Sequence, residues 1–117
     1  MGSGKIAIAP LPQADGVWKN RPVLVIFRTR PFQDYVVCGI STQLHTALPG
    51  LDEVLDERCA DFPDSGLTRP SVIRVLFLGT VAPGDIKGFI GEIGAERFQR
   101  IASNLAAHFQ HLMHHRC

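Results

Sequence analysis

Cysteine is scarce in this chain: Cys38, Cys59 and Cys117 are odd in number and far apart among 117 residues. That pattern excludes a disulfide framework and a cysteine zinc site, and it suits a reducing, cytoplasmic setting. No apolar run approaches the roughly 20 residues of a membrane helix, so no membrane partner is expected. The opening MGSGKIAIAP has no basic segment ahead of a long apolar core, and it does not read as a secretion signal. Excess charge is missing too. A net +1 with 20% charged residues gives no global pull toward nucleic acid, so any basic surface has to be local. There is no internal repeat and no low-complexity segment. The glycines at 79, 84, 88, 91 and 94 match no phosphate loop.

What is present is an ordinary globular balance, 45% hydrophobic, in a length that fits one domain over residues 1–117. Residues 5–11 alternate weakly and predict a first strand, followed by a loop over 12–20 with Asp15-Gly16 as turn chemistry. RPVLVIFRT (21–29) is the strongest strand, and its continuous apolar middle requires cover on both faces. A third strand over 34–42 follows a short connection and pairs as a hairpin. Residues 48–57 read as one short helix and 62–70 as loop. SVIRVLFLGTV (71–81) is a second buried strand, and FIGEI (89–93) a short last one. From Ala95 the period changes: Phe98, Ile101, Ala102, Leu105, Phe109 and Leu112 form a helical stripe, with Arg97 and Arg100 off it. Strands followed by a closing helix make a small, β-rich α+β domain.

Several residues invite a functional reading. Arg21 stands just before the apolar run, and Arg28 and Arg30 follow it. Charges at strand ends are commonly no more than solvated edges. Ser41 and Thr42 close the third strand, where they cap a turn or present one hydroxyl to a site. Arg74 is a cation inside an apolar strand, which a structural salt bridge would explain. Trp18 has the surface to stack on a base or to pack at a dimer edge. His111 and His115 are four apart, a spacing able to hold a metal, but no acidic third ligand lies nearby and no metal or other cofactor is expected.

Three pieces, in order, resemble the MazF/PemK family of toxin ribonucleases: GKIAIAPLPQADGVWKNRPVLVI, CGISTQ (38–43), and SGLTRPSVIRVLFLGTV followed by IGEIGAERFQRIASNL. The resemblance implies an SH3-like, CcdB/MazF-like barrel with a C-terminal helix. It also implies a homodimer that cleaves single-stranded RNA without a metal and is blocked by a cognate antitoxin. By the same resemblance Arg21 matches the catalytic arginine and Ser41 the active-site hydroxyl. Trp18, Lys19, Thr42, Gln43 and Arg74 become candidate RNA contacts. Some family members carry an Asp two positions after the arginine at 74. This sequence has Leu76 there, which implies a weakened enzyme or a replacement acid, for which Asp15 is the candidate. CcdB-type toxins share the fold and inhibit DNA gyrase, so a non-catalytic binding protein is the alternative.

An arginine suits part of the cleavage chemistry. The 2′-OH must lose a proton as it attacks, the phosphate oxygens need positive charge, and the leaving 5′-oxygen needs a proton. A guanidinium meets the second need with a bidentate fork, but its pKa makes it a poor base.

Overall fold

A computed structural model describes residues 2–13 and 15–114. Six strands form one antiparallel sheet: β1 (Lys5–Pro12), β2 (Trp18–Arg28), β3 (Tyr35–Ser41), β4 (Glu53–Leu55), β5 (Ser71–Val81) and β6 (Gly88–Glu92). Their order across the sheet is β4-β5-β3-β2-β1-β6. The sheet curls into a half-barrel, and helix α2 (Ala95–His114) closes the chain. A four-residue helix, α1 (Phe62–Ser65), precedes β5.

The pleat sorts the core into two clusters, as strict alternation in β1, β2 and β3 requires. On one face Ile6, Leu24, Cys38, Ile40, Ile73 and Val75 pack with Ile101 and Leu105 of α2. On the other lie Ala7, Ala9, Leu11, Val23, Val25, Tyr35, Val37 and Val81. Both faces of RPVLVIFRT are covered, which is why its middle is apolar without a break. Within the first cluster the Cys38 thiol is sealed. Burial, and secondarily the negative charge of Asp52, pushes its pKa up to about 12, so it is not a nucleophile.

The middle of the chain departs from the sequence reading. Residues 48–57 do not form a helix. Gly50 sits at φ +79°, the Asp52 carboxylate turns back to accept from the Leu48 N–H, and Glu53–Leu55 pair with Ile73, Val72 and Ser71 as an edge strand. Backbone hydrogen bonds to β5 outweigh the weak helical pattern there. Conversely, α1 forms inside the expected loop, with Pro63 in its first turn and Gly66 at φ +74° ending it. The expected 12–20 loop is also shorter, because Pro12 already pairs with Trp18.

Helix α2 is anchored by a charge as well as by its stripe. Ile101 and Leu105 are buried and Phe98 is half-buried, but Ala102, Phe109 and Leu112 are exposed. At 20 residues the helix runs about 30 Å, and its distal turns extend past the packed stretch. Arg97, off the stripe in sequence, is buried. Its Nε and Nη2 donate to the two Asp61 carboxylate oxygens at 2.8 and 3.2 Å, and Nη1 donates to Glu53 Oε1 at 2.8 Å. Arg100 adds a second cation to Glu53 at 3.0 Å. Burial works against ionisation of Asp61, but the hydrogen bonds from Arg97 and the Gly94 N–H outweigh it and hold the carboxyl below its ordinary pKa. Burial also opposes the Arg97 charge, and Asp61 and Glu53 reverse that too.

Candidate functional site

Strand parity brings the site together. Arg21 opposes Ala9 on β1, and Arg74 opposes Gly39 on β3. Directly opposed residues share a face. Arg21, Gly39, Ser41 and Arg74 therefore project on the side that carries Ala9 and Val23, toward the end of the sheet where β3 stops. There they line an open cleft of about 580 Å³, whose walls also include Gln13, Thr42, Gln43, Arg69 and Phe77.

The cleft is built to hold an anion. Three arginines line it, Arg21, Arg69 and Arg74, and among the described residues no carboxylate does. None of the three is in an ion pair among the described residues, so their charge is not neutralised from within. Arg21 Nη2 donates to Gln13 Oε1 at 3.4 Å, and Gln13 Nε2 donates to the Leu11 carbonyl at 3.2 Å, which steadies the guanidinium at the cleft mouth. Ser41 Oγ accepts from the Gln43 N–H at 3.0 Å, leaving its own O–H to donate into the cleft. The Ser71 hydroxyl donates to the Arg69 carbonyl at 2.8 Å and fixes the bend that sets Arg69 on the wall.

Of the residues singled out in the sequence, Arg21, Ser41, Thr42, Gln43 and Arg74 meet at this cleft. Lys19 and Trp18 lie in β2 rather than in a loop, both exposed and outside the lining. Lys19 is two residues from Arg21 and on its face, whereas Trp18, three residues away, is on the opposite one. Asp15 stands at the tip of the 13–17 turn, outside the lining, with its Oδ1 accepting from the Val17 N–H at 3.0 Å. Leu76 is not buried, as its strand pattern suggests, but 39% exposed. It lies within an irregularity of β5, because Gly39 pairs with Arg74 while the preceding Cys38 pairs with Leu78.

Two wall residues escape the sequence reading. Arg69 precedes Pro70 as Arg21 precedes Pro22, and that repeated Arg-Pro pair ahead of an apolar strand was an available signal. Phe77 gave none. Its ring lies so close to Gly39 that a Cβ there would stand 2.5 Å from Cδ2, and the Arg74 guanidinium sits 5.2 Å from the ring centroid. Guanidiniums, hydroxyls and amides are poor metal ligands, and no group of three His, Cys, Asp or Glu converges among the described residues. The His111–His115 pair falls partly outside the described residues.

Comparison with known proteins bears on the fold and the family. No curated protein sequence matches the chain at significance. Among solved structures, the Mycobacterium tuberculosis toxin MazF-mt6 is similar, with a TM-score of 0.65 and 26% identity over 91% of this chain and 96% of that one. The profile described as "PemK-like, MazF-like toxin of type II toxin-antitoxin system" matches residues 3–109. That span takes in every strand, the whole cleft and most of α2. The chain therefore belongs to the PemK-like, MazF-like family of type II toxin–antitoxin toxins, whose members are endoribonucleases.

Proposed function

We propose that this toxin cleaves single-stranded RNA, such as mRNA, in the cleft between Arg21, Ser41 and Arg74, by attack of a ribose 2′-OH on the adjacent phosphorus and without a metal. The convergence of three arginines, none in an ion pair, on a cleft without carboxylates among the described residues carries the reading. Arg21 holds the scissile phosphate through its fork and stabilises the charge that grows on its oxygens in the transition state. Ser41 donates its O–H to a phosphate oxygen and fixes the in-line approach. Arg69 and Arg74 take flanking phosphates, Thr42 and Gln43 contact base or backbone, and Lys19 extends the positive rim. Asp15 serves its own turn rather than the reaction, so water takes the 2′-OH proton as the new P–O bond forms and delivers one to the 5′-oxygen as its bond to phosphorus breaks. In this scheme the protein is a homodimer, and its cognate antitoxin acts by covering the same cleft. A cation-lined cleft also disfavours a bound divalent ion.

A second reading, an RNA- or protein-binding toxin without chemistry, draws on one observation. No carboxylate or histidine among the described residues lines the cleft to act as a general base. Incubating purified protein with a long single-stranded RNA in EDTA separates the two. Cleavage by 2′-OH attack leaves a cyclic phosphate and a 5′-OH at mapped ends. Loss of cutting on chelation, recovered with a divalent ion, sinks the metal-free mechanism; tight binding with no cutting under either condition favours the second reading.

A further inference from the structure

Arg74 and Phe77 are three residues apart, and in a regular strand they would point to opposite faces of the sheet. Both line the same cleft. The pairing of β5 with β3 shows how. Arg74 opposes Gly39, but Cys38, the residue just before Gly39, opposes Leu78, so Val75, Leu76 and Phe77 have no partners on β3. Below this bulge Ile73 and Val75 belong to the core cluster that meets α2; above it Val81 belongs to the opposite cluster. The bulge flips the parity of the strand. It places a cation and an aromatic ring on one wall, re-aiming side chains as bulges do beside active sites.

Val75 lies past the Glu53–Ile73 pair that ends β4 and has no partner on β3, so neither neighbouring strand pairs with it and its N–H needs another acceptor. A side chain supplies it. Asp52 Oδ1 accepts from the Val75 N–H at 2.9 Å, and Asp52 Oδ2 accepts from the Leu48 N–H at 2.9 Å. One carboxylate thus ties the 48–52 turn to the first bulged residue. Asp52 also lines a small cavity of about 120 Å³ with Leu48, Leu76, Arg74 and Phe77, immediately behind the cleft wall. On the cleft side Phe77 rests against Gly39, and Arg74 lies over Phe77.

We infer that Asp52 is a positioning residue for RNA binding: it clamps the β5 bulge through the Val75 N–H and so holds Arg74 and Phe77 on the cleft wall. The carboxylate that position 76 lacks is supplied, in this account, from a different part of the chain and acts on backbone rather than on RNA. The inference rests on the proposed role of the cleft. It makes an unusual prediction of sign, since removing a negative charge beside bound phosphates ordinarily strengthens binding. Loss of Asp52 should weaken it.

The test is a double-mutant cycle on binding of a single-stranded RNA made non-cleavable by 2′-deoxy substitution, using the intact chain. Arg74→Ala is expected to weaken binding about tenfold, the scale of one charge-assisted hydrogen bond, and to lower the salt slope by about one. Asp52→Ala should give a similar loss and a similar fall in slope. The double variant should fall well short of the product of the two losses, because Asp52 acts largely through Arg74. Exchange of the Val75 amide should accelerate in Asp52→Ala, which a remote loss of stability would not single out. If Asp52→Ala is too unstable to assay, Asp52→Leu carries the same cycle, since it keeps the side-chain volume and offers neither N–H an acceptor. Additive losses of about a hundredfold, or unchanged binding in the Asp52 variants, overturn the inference alone. Unchanged binding in Arg74→Ala overturns the cleft reading and the inference together.

Discussion

Arg97→Ala is the sharpest probe of how the closing helix is held. The arginine is 8% exposed, and its side chain makes three hydrogen bonds to two carboxylates and one, at 3.2 Å, to the Val54 carbonyl. Removing one member of a buried ion pair costs about 3–5 kcal/mol, mostly because the partner stays buried without its counter-charge. Here Glu53 keeps Arg100, and Asp61 keeps the Gly94 N–H at 2.9 Å. The acids are also not wholly dry, with side chains 14% and 17% exposed. These residual partners place the loss at the lower end, about 3 kcal/mol. At about 4 °C per kcal/mol for a domain of this size, the melting temperature should fall by about 12 °C. Thermal melts, with denaturant titrations for the free energies, of wild type, Arg97→Ala, Asp61→Ala and the double variant would measure it. The double variant should recover about 1–2 kcal/mol relative to additivity, since no stranded carboxylate remains. A drop of under 3 °C in Arg97→Ala, or strict additivity, would refute this account of the anchor.

The same pair governs the acid limb. Because Asp61 titrates below its ordinary value in the folded protein, its contribution is complete above the unfolded carboxyl pKa of about 4 and is lost as pH falls through the folded value. Asp61→Asn should be less stable at neutral pH yet lose stability less steeply below about pH 4; an unchanged acid slope in urea titrations would contradict this. Asp15→Asn should leave both fold and cleavage nearly untouched, within about threefold, because an Asn oxygen still accepts from the Val17 N–H and no proton transfer is assigned to it. A fall of about a hundredfold, the scale of a lost general base, would instead return Asp15 to the reaction.

What the sequence disclosed follows from the range of the forces involved. The strands at 21–29 and 71–81 and the closing helix carry their own period, so local pattern sufficed. Arg21 and Ser41 stood out only through the family resemblance of the strands that carry them; taken singly they read as a solvated edge charge and a turn hydroxyl. Residues 48–57 were not, since β4 exists only through its pairing with β5. Arg97 looked like a surface charge because its acids are 36 and 44 residues away. Phe77 reaches the cleft through a register shift between two strands far apart in sequence. No alternation rule applied to one strand can reveal it. The exposed Leu76 belongs to the same failure: the period of two does not hold inside a bulge.

The central claim is that Arg21 stabilises charge on a phosphate under attack, and the initial rate of RNA cutting by Arg21 variants tests it most directly. Arg21 is exposed and packs against little, so Arg21→Ala should melt as wild type does. Its cleavage rate in EDTA should nevertheless fall by about 10²-fold or more, the scale of losing a preorganised donor to a developing charge. Arg21→Lys should recover only part of that, having the charge without the bidentate fork. Wild-type cutting by Arg21→Ala would contradict the account and place the chemistry elsewhere.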